Sequence, residues 1–531
     1  MSLRDTDSSE DVLRSYALRS SRRHESSQLS PDLNPRGFPL NYRLLCMLTA
    51  ALAIAMDDVA AATRYVATRI PQQGYYNTSA DAINSKGAIA GNATRYTDDY
   101  GDEADVAAFI FSPSNEVTPI AMSGFAARAY GINSRGEVVG AFVVNGHAHA
   151  FRYADGMIVE VSRPGAMDSL AMATNERGDV AGTQDSRAFV IDADGRAVVL
   201  GGESYATAIN VFGEFAGYLL MSRVGNRPLY HAFRYRDGAI EDLGALGDFA
   251  FAFGINASGD VVGETFGSDN IPRPFLYTAG AMRYLGEEHG AAQAINAAGT
   301  VVGYQFGDRG DRPFIYSDGG MANLAELVDG LDGAKLVSAA AINDAGQIAG
   351  RACLPGPSNQ CFGVRLDPAP VPPVRAVEFH HSEMDHYFVT ANPVEIGLLD
   401  DGSLAGWTRT GEGFNVQPGP QVGTAPVCRL FSTAFAPKSS HFYTSSTTEC
   451  AMVKRSPYWQ FEGIVFYVAT PDASGECPSE TVPVYRLYND GQGAAPNHRY
   501  TTSPSSRQQM IDRGWIAEGS GLLGVTMCVA S

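Results

Sequence analysis

The pattern N-x-x-G-x-x-x-G occurs seven times between positions 84 and 350, and nothing else in the chain restricts its fold as much. The copies read AINSKGAIAG, GINSRGEVVG, ATNERGDVAG, AINVFGEFAG, GINASGDVVG, AINAAGTVVG and AINDAGQIAG, and they carry Asn84, Asn133, Asn175, Asn210, Asn256, Asn296 and Asn343. The first and last of these asparagines are 259 residues apart. Over six intervals that is a period of about 43, within the roughly 40 to 45 residues of a four-stranded propeller blade. Seven units also lie within the usual range of about four to eight blades.

The motif has a physical reading as a hairpin corner. Asn starts a tight turn because its short amide accepts a hydrogen bond from the backbone two residues on, and Gly three positions later takes the left-handed conformation that closes the hairpin. The seven asparagines are therefore read as structural turn residues. Apolar alternation on both sides of the turn gives two short strands.

A third strand is built around Phe109, Phe151, Phe189, Phe233, Phe275, Phe314 and Phe362, and a short turn leads to a fourth. The seventh unit lacks this fourth strand, while an unpaired strand-like piece, TRYVATRI at 63–70, precedes the first unit. Pairing of residues 65–70 with 363–367 would close the ring and leave no free edge between blades.

Two of the third strands read His149-Ala150-Phe151 and His231-Ala232-Phe233. In these strings residues 63–367 resemble the bacterial extracellular HAF-repeat family. The resemblance implies secretion and a propeller-like fold, with no assigned activity. Other copies replace the His by Arg-Ala-Phe or Arg-Pro-Phe, so it is not taken as a ligand-binding device.

Composition agrees with many short strands: 57 glycines, aromatics at 10% and charged residues at only 18%. The net charge of -19 repels phosphate backbones and anionic lipid surfaces, so a nucleic-acid partner is not expected.

Residues 44–56, LLCMLTAALAIAM, are too few to span a bilayer as a helix, which needs about 20 apolar residues. Followed by VAAAT, they read as a signal peptide behind a polar preface, with residues 1–62 removed on export. Cys46 as a lipoprotein cysteine is disfavoured because the apolar run follows it. The remaining chain holds 32 basic and 50 acidic residues, a charge of -18. It also keeps six cysteines, an even number suited to disulfides in the periplasm or exterior.

DPAPVPPV, centred on residues 368–375, reads as a semi-rigid linker. Beyond it, at 376–531, a different unit occurs three times: HYFVT at His386, HFYTS at His441 and HRYTT at His498. Each is followed by a helix-start signal and a tryptophan. The signals are Asn392-Pro393 with Glu395, the capping box Ser446-x-x-Glu449, and Ser503-Pro504. Trp407, Trp459 and Trp515, the only tryptophans, are 52 and 56 residues apart.

The expected fold is mainly β: a seven-bladed β-propeller followed by a threefold-repeat, β-trefoil-like module with short helices. The repeated R-L-Y or R-L-F, H-x-Y-T and E-G strings are similar to domain-of-unknown-function family 5648, a module of secreted bacterial proteins. The first unit departs from them, with Thr410-Gly411 at the spacing where the others have Glu-Gly.

Candidate binding residues in this module are Trp407, Trp459 and Trp515, whose rings could stack on sugars, and His386, His441 and His498. Residues repeated in every unit are more often fold determinants, so core packing is the competing reading and no metal or cofactor is assigned. Cys353 and Cys361 flank a short loop and are paired. Cys428, Cys450, Cys477 and Cys528 allow three connectivities, of which 428–450 and 477–528 each stay within one unit.

The acidic stretch 97–105 lacks the spacing of a calcium loop, and Arg309-Gly310-Asp311 reads as a turn rather than an adhesion signal. No nucleophile elbow, zinc-protease, P-loop or dinucleotide motif occurs.

Two functions fit this reading. The first is a secreted, monomeric, non-catalytic binding protein, whose propeller loops engage an extracellular protein partner and whose C-terminal module recognises a glycan or cell-envelope component. The alternative is a propeller-based polysaccharide hydrolase or lyase with the module as targeting arm. His147, His149 and His289 are its first candidate residues.

Overall fold

A computed structural model describes residues 63–531 except 97–102, 121–124, 164, 308–310, 357–359 and 437. All of these belong to one compact unit, Ala60–Ser531. The expected signal peptide and Cys46 lie outside the described residues, as do Arg309, Gly310 and residues 97–102 of the acidic stretch.

The chain up to Pro368 is built of antiparallel sheets in a propeller-like succession. Among the described residues there are six four-stranded sheets and one of five strands. In each four-stranded sheet the strands stand in chain order, and from the second sheet on the first strand packs against the sheet before it. The first strand of the first sheet, Asn77–Ile83, packs against the last sheet.

Each motif forms its turn as the asparagine chemistry requires. Asn133 Oδ1 accepts from the backbone N–H groups of Arg135 and Glu137, both at 3.1 Å. Gly136 has φ +79°, which L side chains rarely adopt. The second glycine serves close approach: a Cβ on Gly140 would lie 1.9 Å from the Arg128 carbonyl oxygen, with the Phe151 ring against it. Gly140 and Phe151 are opposite each other in the ladder, so the repeated Phe fills the space the glycine leaves and is fully buried.

The asparagine side chains also do something the motif alone does not announce. Each Nδ2 donates to the backbone carbonyl of the asparagine in the next sheet, from Asn84 to Asn133 and on through Asn175, Asn210, Asn256, Asn296 and Asn343 back to Asn84, at 2.8–3.2 Å. All seven are 1–6% exposed. This closed ring makes the seven first strands the innermost ones.

The last sheet closes as expected and then goes further. Tyr65–Arg69 pairs antiparallel with Cys361–Pro368, Tyr65 opposite Pro368 and Arg69 opposite Val364. Val328–Asp329 adds a fifth, parallel strand. One correction concerns Phe362. It stands opposite Ala352, and Val364 takes the position facing Gly350 that phenylalanine holds elsewhere.

Beyond Pro368 only residues 369–373 separate the last sheet from the strand Val374–His381. Three units follow, each a hairpin, a short helix and a strand that returns to pair with the hairpin. The helices are α1 (Pro393–Asp400), α2 (Thr447–Lys454) and α3 (Pro504–Asp512). Asn392, Ser446 and Ser503 cap them with their side chains. The capping box is one-sided, because the Glu449 carboxylate turns away to Arg486.

The first unit does have its Glu-Gly pair, at Glu412-Gly413 rather than at 410–411. Two extra residues follow Trp407, and Gly413 shares the positive φ of Gly463 and Gly519. Disulfides join Cys353 to Cys361, Cys428 to Cys450 and Cys477 to Cys528. No helix of the described residues is long and apolar enough to cross a membrane. Three disulfides are compatible with an extracellular or periplasmic protein.

Candidate functional site

The module docks on the end of the sheets that carries the asparagine turns. Thr447 of α2 donates to Asp344 at 2.9 Å, Lys454 to Ser258 at 3.2 Å and Arg455 to Glu214 at 2.8 Å, with the Arg455 guanidinium 4.9 Å from the Phe212 ring centroid. All four partners belong to N-x-x-G turns. Burial under this contact raises the Asp344 pKa. The turn end is thus occupied by the protein itself, and the opposite end is the one to search for a site.

In the module the expected binding residues are mostly internal. His386, His441 and His498 are 0, 7 and 4% exposed. They do not converge: His386 Nε2 and His441 Nδ1 are 2.9 Å apart, whereas His498 packs on Phe442 and Tyr488. His386 also meets Ser439 Oγ at 2.9 Å, and His441 Nε2 lies 3.2 Å from Glu462. Burial holds the pKa of His386 well below the usual imidazole range, with a smaller push from His441, and burial does the same to His498. Glu462 is also buried, but His441 and Arg429 outweigh that and bring it down to about 2.

Trp515 is buried, packed on Tyr387, while Trp407 and Trp459 keep partial exposure beside Phe388 and Phe442.

Buried ion pairs tie each unit to its neighbour. Arg429 forks onto Glu395 and Arg486 onto Glu449, in each case a hairpin arginine reaching the first turn of the preceding helix. At the third junction the signs are reversed: Glu378 stands where the arginines stand, and Arg499 reaches it at 2.9 Å. Tyr443 and Tyr500 add hydroxyl bonds to the backbones of Val389 and Tyr443. These residues hold the module together.

The propeller histidines are equally local. His149 meets Glu160 and His231 meets Asp242, each at 3.0 Å across one hairpin, and His147 lies 3.4 Å from Asp168. His289 is exposed. Among the described residues no group of three His, Cys, Asp or Glu side chains could hold a metal ion.

What the sequence reading missed is the residue after the second glycine. In the seven units it is Asn92, Ala141, Thr183, Tyr218, Glu264, Tyr304 and Arg351. Its ladder partner on the first strand is Ser79, Arg128, Leu170, Tyr205, Phe251, Ala291 and Ser338. Side chains opposite each other in a ladder share a face of the sheet. Fourteen positions locked in register by an unvarying frame thus carry almost no common chemistry, and that contrast between frame and content is the signal that could have found them.

Their side chains meet between consecutive sheets. Asn92 exchanges hydrogen bonds with the Ala129 backbone and donates to Asp81, which also accepts from Ser79. Burial raises the Asp81 pKa, partly offset by those bonds and by Arg128 and Arg351. On units four and five three of the four positions are aromatic, the fourth being Glu264. Tyr205 stacks on Tyr218 at 4.7 Å, Tyr218 meets Phe251 edge-on at 4.9 Å, and Tyr230, Phe249 and Phe266 extend the cluster. One side of the inner ring is therefore charged and polar, the other aromatic.

Residues 376–525 match the family described as "Domain of unknown function (DUF5648)". No curated protein matches the chain. Solved structures similar to it include the β-propeller domain of the Trilobed protease from Pyrococcus furiosus, 8% identical, covering 55% of this chain and 94% of that one at a TM-score of 0.41. Virginiamycin B lyase from Staphylococcus aureus is 14% identical over 57% of this chain and 99% of its own, TM-score 0.37. Pyrococcus horikoshii acylaminoacyl peptidase is 12% identical over 60% and 57%, TM-score 0.39. The likeness to these propellers is one of fold alone.

Proposed function

We propose that the chain is a secreted, non-catalytic binding protein that takes its partner at the end of the propeller opposite the asparagine turns. In this reading the seven sheets are the blades of a seven-bladed propeller of the HAF-repeat kind. The three C-terminal units form a trefoil-like module that covers the turn end and offers Trp407 and Trp459 to a glycan or cell-envelope component. The observation that carries the proposal is the fourteen-position ring, where one frame holds dissimilar side chains. Structural residues recur in repeats, as the asparagines do, whereas residues selected for a ligand differ from unit to unit.

A second reading rests on Glu264, a carboxyl that burial pushes up to about 7 and that would carry a proton near neutral pH, as a glycan-cleaving acid requires. It makes the protein a polysaccharide hydrolase or lyase.

The test is a binding screen of the full chain against glycans, peptidoglycan and extracellular proteins, comparing wild type with Arg128→Ala, Tyr218→Ala and Trp459→Ala, each checked for folding by circular dichroism. Loss of capture in the Arg128 and Tyr218 variants is expected. Capture unaffected by both would contradict the ring as the site, and shortening of a bound polysaccharide would favour the enzyme.

A further inference from the structure

Glu264 differs from the other charged residues of the ring. Asp81 is held by two hydrogen bonds with two arginines nearby, whereas Glu264 has no hydrogen bond and no ion pair among the described residues. Among the described residues burial alone acts on its ionisation, and it raises the pKa to about 7. A carboxylate drawn out of water without a partner costs free energy.

Its surroundings are aromatic. Phe251 is opposite Glu264 in the ladder, and Phe266 follows two residues along on the same face, with its ring 6.0 Å from Phe251. From the next sheet Tyr304 comes near enough for the Glu264 charge to raise its own pKa, after the larger effect of burial. The Tyr304 ring meets Phe306 at 5.2 Å, and Phe306 is 46% exposed, so this aromatic cluster reaches solvent. From unit four, the Arg227 guanidinium already sits 4.5 Å from the Phe249 centroid.

We propose that this cluster binds an organic cation of the alkylammonium class, with Glu264 as counterion and Phe251, Phe266 and Tyr304 around it. Aromatic faces attract cations through their quadrupole, and more strongly when water is excluded. The arriving cation offsets the desolvation cost of the carboxylate beside those rings. An apolar ligand would gain nothing from it. The net charge of -19 draws cations towards the surface. This inference rests on the reading of the ring as the binding surface and adds the chemistry that the partner presents.

The probe is choline, set against its neutral isostere 3,3-dimethylbutan-1-ol, by calorimetry on the full chain and by carbon-13 NMR of the Glu264 carboxyl. Choline should bind at least about tenfold tighter than the isostere, a difference that Glu264→Gln reduces several-fold and Tyr304→Phe retains. Saturation with choline should lower the Glu264 titration midpoint, since a bound cation favours the ionised form. Equal affinity for the two probes, no choline binding, or an unmoved midpoint would overturn the proposal. If choline fails while Arg128→Ala and Tyr218→Ala still abolish partner capture, the cation is wrong and the ring stands.

Discussion

The Asn343 side-chain amide donates to the backbone carbonyl of Asn84 at 2.9 Å, joining two residues 259 positions apart and closing the ring of seven. Asn343 also accepts from the Gln347 N–H at 2.9 Å and donates to its side chain at 3.0 Å. Asn343→Ala would leave the buried Gln347 amide unsatisfied, at about 1–3 kcal/mol, and the Asn84 carbonyl with the Gly87 N–H alone. Asn343→Asp keeps the acceptor but sets a buried carboxylate against the Asn84 carbonyl and the Gln347 side-chain oxygen, so it should cost more. Chemical denaturation of the two variants checks the order.

The ring also shows where sequence reading succeeds. The Asn turn and the glycine at +3 were legible because they are local chemistry, decided within five residues. The bond from Nδ2 to the next asparagine was not, since it depends on the radius at which seven sheets meet. Phe362 misled for a related reason. It stands in a phenylalanine-bearing string like the others, but the ladder sets the position, and there Val364 faces Gly350. Glu412 was missed because two inserted residues shift it away from the spacing its sisters keep. The candidate site was invisible to a search for recurrence, because what marks Tyr218, Glu264 and Arg351 is that they do not recur.

Buried histidines make the module sensitive to acid. His386 and His498 have folded pKa values below that of the unfolded chain, near 6.5. The unfolded state therefore binds protons first, and stability, full above pH 6.5, falls as pH drops below it. The slope approaches about 1.4 kcal/mol per pH unit for each histidine. Glu462, held at about 2, adds a loss below pH 4.5. Denaturation midpoints from pH 8 to 5 should fall in wild type and fall less in a folded His498→Gln variant.

Arg429 is shared by Glu395 and Glu462 in the interior of the module. Arg429→Ala takes the guanidinium from both carboxylates, leaving Glu462 to His441 and Glu395 to the Thr390 hydroxyl, and should destabilise the protein by about 3 kcal/mol. Arg429→Lys keeps the charge without the fork and should fall between the variant and wild type. Urea midpoints read both.

The disulfides should differ in worth according to the loops they close. Cys477–Cys528 spans 51 residues and Cys353–Cys361 spans 8. Chain entropy alone gives about 4 kcal/mol for the first and about 2.5 kcal/mol for the second. Paired Cys→Ser variants, compared by thermal melting, should lose stability in that order.

The central claim is that the inner ring, at the end away from the module, receives the partner. Hydrogen–deuterium exchange of the full chain with and without a captured partner tests it most directly. The account predicts new protection at residues 79–81, 128–130, 205–207, 218–220 and 249–253, with the asparagine turns unchanged. Protection confined to the module, or to the outer strands, would contradict it.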